Sequence, residues 1–88
     1  MEMKNILILD TVAIIYPIAK ERLTLVEPEF MSIENLPSGQ VGTVVEVYEK
    51  GGEKQYLVEF ADSQGREYAM ATLKADELLP LHYELKVA

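Results

Sequence analysis

The side chain best suited to acid–base chemistry in these 88 residues is the single histidine, His82, with Asp76 and Glu77 a few positions before it. An imidazole titrates near neutral pH and can shuttle a proton or ligate a metal. Either task needs a companion base, nucleophile or further ligand. The chain has no Cys, which removes thiolate nucleophiles, disulfides and Cys-ligated metals. Asp76 and Glu77 are equally well explained as acidic residues of a short turn. Carboxylates could instead hold Ca²⁺ or Mg²⁺. However, Asp62-Ser63-Gln64-Gly65 offers one carboxylate and no EF-hand spacing. It reads as a turn in which Asp62 folds back onto its own backbone. The glycines at 39 and 42, and the pair Gly51-Gly52, lack the Lys-Ser/Thr ending and the strand–loop–helix setting of phosphate loops. No catalytic residue, cofactor-binding residue or metal ligand is expected, and the chain reads as non-enzymatic with no cofactor.

Charge narrows the partners. Fifteen acidic against eight basic residues give a net charge of −7, which repels nucleic-acid phosphates and anionic membranes. Tyr16, Tyr48, Tyr68 and Tyr83 could supply stacking rings, but the Lys and Arg residues are scattered and form no basic groove. Nucleic acid is therefore not expected, whereas a protein partner with a basic surface is, and homo-oligomerisation stays open. The apolar run Ile6–Leu9 stops at Asp10, and the run from Val12 to Ala19 contains Pro17. Both fall short of the roughly 20 apolar residues that span a bilayer, and no signal-peptide pattern is present. A cytoplasmic location follows as the expectation.

The elements that position these residues are short strands within one domain, 1–88. Its organising unit is a hairpin: 40–48 and 55–60 flank Lys50-Gly51-Gly52-Glu53, and two glycines suit a primed two-residue turn. With Lys50 opposite Glu53, Glu49 meets Lys54, Val47 meets Tyr56, Val45 meets Val58 and Thr43 meets Phe60. Turn, charge and burial then agree on one register. Gly42, inside a strand, predicts a bulge or a close backbone approach. Asp62 and Gly65 predict a type I turn with a glycine bulge. Asp62 opposite Arg66 would place Tyr68 against Phe60 and Met70 against Val58. A shift of one residue would instead bury Ala69, Ala71 and Leu73.

Before the hairpin, Ile6 to Tyr16 reads as a strand bent near Asp10-Thr11, ended by Pro17. Residues 17–38 form a long excursion whose apolar members, including Leu23, Leu25, Phe30, Met31, Ile33 and Leu36, dock on the sheet. After the hairpin, 74–78 reads as one helical or 3₁₀ turn, and 79–84 as a closing strand kept at an edge by Pro80. The expected fold is all-β: a small five-stranded barrel with one short helical turn before the last strand and a long 17–38 excursion. On these registers Val44, Leu57, Ala69 and Ala71 point away from the core, among Glu46, Glu59 and Glu67. Either the excursion covers this outward face or another chain does.

The segments Gly39-Gln40-Val41-Gly42-Thr43-Val44-Val45, Tyr56–Phe60, Asp62–Gly65 and Leu73–Leu79, with Asp10-Thr11-Val12-Ala13 at the first strand, resemble a small bacterial domain family of unknown function that is frequent in cyanobacteria. They are also similar to SH3-like barrels, KOW-type modules included. Residues 17–37 are longer than that pattern leads one to expect. The resemblance implies an SH3-like barrel and a docking role, with no catalytic residues to carry over. The functional expectation is a protein-interaction module, either an accessory subunit or the acidic half of a co-encoded pair of antitoxin or immunity type. Its interaction residues would be Val44, Glu46, Leu57, Glu59 and Glu67. The alternatives are a KOW-like module contacting RNA or the ribosome, and an enzyme with an unrecognised site.

Overall fold

The computed structural model describes residues 5–26 and 34–81. Among them the strands are β1 (Thr11–Ile14), β2 (Ile18–Ala19), β3 (Thr24–Leu25), β4 (Asn35–Leu36), β5 (Val41–Lys50), β6 (Glu53–Ala61), β7 (Glu67–Lys74) and β8 (Leu78–Pro80). Single 3₁₀ turns occupy Lys20–Arg22 and Ala75–Glu77. The chain is therefore all-β, with the helical turn before the last strand where the sequence puts it.

The hairpin forms as its charges and glycines dictate. Lys50 faces Glu53, Glu49 faces Lys54 and Val47 faces Tyr56. Gly51 and Gly52 both take positive φ, 61° and 80°, which a primed turn requires and which side chains with a Cβ resist. Four pairs further along, the register slips between Val44 and Glu46. Val45 is the extra residue, so Val44 rather than Val45 lies opposite Val58. Beyond the bulge every side chain changes face. Val44 is fully buried and Thr43 turns outward, opposite Glu59. The expected outward position of Val44 is thus corrected, as is the core position of Thr43.

Gly42 supplies the close approach. A Cβ there would stand 2.7 Å from the Glu59 carbonyl oxygen, 2.7 Å from Val58 Cγ1 and 2.9 Å from Phe60 Cδ1. Only a residue without a side chain lets β5 lie this near to β6.

A second slip separates β6 from β7. The Asp62 turn closes as expected: Asp62 N–H donates to the Arg66 carbonyl (2.9 Å), and Gly65 N–H to the Asp62 carbonyl (3.0 Å). Ala61 then pairs with Glu67, but Phe60 pairs with Ala69, leaving Tyr68 as the extra residue. Tyr68, Ala69, Ala71 and Leu73 are all buried. Ala69 and Ala71, expected outward, belong to the core.

β1 starts late because Leu7–Asp10 make a turn. Asp10 N–H donates to the Leu7 carbonyl (3.1 Å), and Leu7 N–H donates to Asp10 Oδ2 (2.9 Å). Leu9 has φ 76° and is 74% exposed. The bend foreseen near Asp10 is this turn.

Pairing runs β3-β7-β6-β5-β1-β8, with β2 and β4 forming a separate two-stranded ribbon. Among the described residues the large sheet is open between β3 and β8. A closed five-stranded barrel is therefore corrected to a six-stranded sheet with a ribbon. The physical reason is the excursion: its Thr24 and Leu25 pair with Met70 and Ala69, occupying the β7 edge that a closing strand would need. The excursion also fills the core, since Ile18 and Leu36 are fully buried and Leu23 and Leu25 pack on the cluster. Phe30, Met31 and Ile33, and the closing strand beyond Leu81, lie outside the described residues.

Phe60 is fully buried above Gly42. Phe60→Ala is expected to cost about 3–5 kcal/mol, and Gly42→Ala about 1–3 kcal/mol through backbone displacement. Urea unfolding of both variants measures this, with Gly52→Ala as the comparison for a turn glycine in open space.

Candidate functional site

Antiparallel partners point to the same side of a sheet, so the registers define the face opposite the core. Ala13, between the buried Val12 and Ile14, pairs with Leu79 on β8 and Val41 on β5. Leu79 is 52% exposed and Val41 45%. Ala61, exposed and one residue past the buried Phe60, continues this row on β6, and Glu67 follows on β7. A second row contains Thr11, Thr43, Glu59, Met70 and Thr24 across five strands. A third contains Glu46, Leu57 and Thr72.

Glu59 and Glu67 are diagonal neighbours on this face. Glu67 Oε2 is inaccessible to solvent and has no hydrogen-bond partner, although the residue as a whole is only half-buried. Desolvation, first, and then the neighbouring Glu59 carboxyl push the Glu67 acid above the ordinary carboxyl range. Two carboxyls without a donor between them can share a proton or receive a cation. Elsewhere, Arg22 pairs with Glu77, Arg66 with Asp62 and Lys74 with Glu53.

The other charged cluster is already satisfied. Arg22, delivered by the first 3₁₀ turn, forks onto Glu77 with Nη1–Oε2 2.7 Å and Nη2–Oε1 3.0 Å, and Nη2 also reaches the Thr72 carbonyl at 3.3 Å. Glu77 Oε1 accepts the Lys74 backbone N–H as well, at 2.9 Å. Arg22 foremost, and then that N–H, hold Glu77 below the usual carboxylate range. The shallow groove beside it, lined by Tyr16, Arg22, Lys74, Asp76 and Glu77, therefore pins the excursion to the sheet. The Asp62 carboxylate is likewise engaged. Its Oδ1 accepts the backbone N–H groups of Gln64 and Arg66, both at 2.9 Å, and its Oδ2 the Arg66 Nε at 3.0 Å. Among the described residues no group of three or more His, Cys, Asp and Glu is placed to hold a metal. No described helix is long and apolar enough to cross a membrane.

Of the residues expected to form an interaction face, Glu46, Leu57, Glu59 and Glu67 share the outward side. Glu46 is exposed and the other three are half-buried. Val44 has left for the core. His82 and Tyr83 lie outside the described residues, while Tyr56 and Tyr68 are buried as expected. Sequence reasoning missed Leu79, Ala13, Val41 and Met70. The alternation of Val12 and Ile14 with Ala13 was a usable signal for the first three. For Met70 the signal was the one-residue shift that buries Ala69, Ala71 and Leu73, which turns Met70 outward.

Residues 8–80 match the profile of a family described as a domain of unknown function (DUF4926). Neither the curated proteins nor the solved structures yield a match.

The Glu67 acid is held high in the fold, so the native state keeps a proton that the unfolded chain releases. Stability from this group is present below the unfolded pKa and is lost as pH rises through the folded one. Glu67→Gln removes that loss. Urea unfolding should show Glu67→Gln more stable than the natural chain at pH 7, with the gain disappearing near about pH 3, where carboxyls are protonated. Glu77→Gln should behave in the opposite way, costing stability at pH 7 and little at low pH.

Proposed function

This chain belongs to the DUF4926 family, a domain of unknown function, and we propose that it is a non-enzymatic protein-interaction module whose partner carries positive charge. It acts in the bacterial cytosol as an accessory subunit or as the acidic half of a co-encoded pair. The underlying architecture is an SH3-like barrel held open by the long excursion. The support for that reading is the succession of β1, β5, β6, β7 and β8 with a 3₁₀ turn before the last strand.

One observation carries the functional reading. A carboxylate oxygen of Glu67 is buried without a donor on a sheet face that also exposes apolar side chains. A buried acceptor left unmatched costs about 1–3 kcal/mol, and a cationic partner supplies the missing donor. Glu46 and Glu59 extend the negative surface around Leu57, and the net charge of −7 acts over longer range. Complementary charge acts mainly on association rate, and desolvated apolar contacts on dissociation.

A photo-crosslinking side chain at position 46 or 57, on the outward face, should trap the partner in cells. The same group at position 16, beside the Arg22–Glu77 pin, should not. With the partner in hand, Glu46→Lys combined with Glu59→Lys should slow association and reverse its salt dependence without unfolding the chain. Leu57→Asp should speed dissociation. Unchanged kinetics in all these variants would overturn the assignment. So would RNA binding at micromolar or tighter affinity in about 150 mM salt.

A further inference from the structure

The outward face has a shape as well as a charge. Its first row alternates large and small side chains across adjacent strands: Leu79, Ala13, Val41, Ala61. Leu79 and Val41 stand up half exposed, with Ala13 as a dent between them and Ala61 as a second dent beyond. Neighbouring strands lie about 4.8 Å apart, so the dents are roughly 10 Å from one another. The row ends at Glu67, and Glu59 stands two residues along β6 from Ala61. An apolar stripe thus runs directly into the carboxyl pair.

Resting on the docking role proposed for this face, we infer that it receives a basic, partly apolar segment of a partner protein. The apolar side chains of that segment seat over Ala13 and Ala61, and one Lys or Arg enters between Glu59 and Glu67. Charge complementarity selects this occupant over a second copy of the chain, which would bring a second acidic pair against the first. It also selects against an acidic or purely apolar segment, neither of which supplies a donor to Glu67 Oε2.

Where Glu67 still holds its proton, the incoming cation displaces it, so binding in that range releases a proton. Affinity then rises with pH through the range in which Glu67 would otherwise hold its proton, and levels off above it. Among the described residues, the groups facing the pair from the adjoining strands do not titrate: Thr43 and Met70 flank Glu59, Ala61 flanks Glu67, and Thr24 of β3 lies beyond Met70. The nearest ionised neighbours along the chain, Asp62 and Arg66, are paired to each other.

The probe is a synthetic peptide of alternating leucine and lysine, titrated into the whole chain by calorimetry in two buffers of different ionisation heat, at a series of pH values descending into the range in which Glu67 holds its proton. A leucine–glutamate peptide serves as the comparison. The Leu–Lys peptide should bind with proton release, whereas the Leu–Glu peptide should not bind. Glu67→Gln should weaken binding at least tenfold and abolish the proton release. Val41→Asp or Leu79→Ser should weaken binding while leaving the proton release of the residual complex intact. Circular dichroism confirms that each variant is folded. No binding of the Leu–Lys peptide, or binding by Glu67→Gln and Val41→Asp as tight as by the natural chain, overturns the inference. If charge reversal at Glu46 and Glu59 still slows the native partner, that partner uses the face without this segment chemistry and the broader reading stands. If neither measurement moves, both readings fall.

Discussion

At Gly42 the backbone of β5 comes so near to β6 that any side chain would collide with the Glu59 carbonyl and the Phe60 ring. That contact governs the surrounding geometry. It lets Phe60 pack against β5 with no exposed surface. It also places the Gly42 backbone between Val12 of β1 and Phe60 of β6. β1 can then reach β8 on its other side, which brings the 3₁₀ turn and Glu77 within reach of Arg22. The fork between Arg22 and Glu77 fastens the excursion, and the excursion in turn brings Ile18 and Leu36 into the core.

The two bulges convert this packing into a surface. In an unbroken alternation Val44, Leu57, Ala69 and Ala71 would share one side of the sheet. One extra residue at Val45 and another at Tyr68 move Val44, Ala69 and Ala71 inward. The outward side is left to Leu57, Met70, Thr43 and the glutamates. A bulge costs ladder hydrogen bonds and adds twist. Here the two bulges bring a full complement of apolar side chains to the inner face, and they leave Glu59 and Glu67 as neighbours on the outer one.

Much of the fold was legible because turn chemistry is local. The Gly51-Gly52 turn, the Asp62 turn, the bend at Asp10 and the 3₁₀ turn at 75–77 each follow from residue types within four positions of one another. The strand registers next to those turns were legible for the same reason. The bulges were not, since an extra residue is selected by packing across the sheet rather than by local preference. Val45 and Val44 are chemically identical, and only the crowding at Gly42 and the needs of Val58 decide between them. The six-stranded pairing was hidden likewise, because Thr24-Leu25 has no feature marking it as the neighbour of Ala69 and Met70. Of the interaction face, Glu46, Glu59 and Glu67 were legible from alternation along β5, β6 and β7 next to the two turns, whereas the apolar stripe depends on β1, whose partners lie far away in sequence.

The central claim is that these bulges sort the side chains into core and docking face, and the absence of cysteine makes it directly measurable. Single substitutions Val41→Cys, Val44→Cys, Val45→Cys, Ala69→Cys, Met70→Cys and Leu79→Cys can each be labelled in the folded chain with a water-soluble thiol reagent. Fast labelling at 41 and 79, intermediate labelling at 45 and 70, and protection at 44 and 69 is the predicted pattern. Protection at 45 and 70 with fast labelling at 44 and 69 would restore the unbroken alternation. That result would dissolve the face on which the functional reading stands.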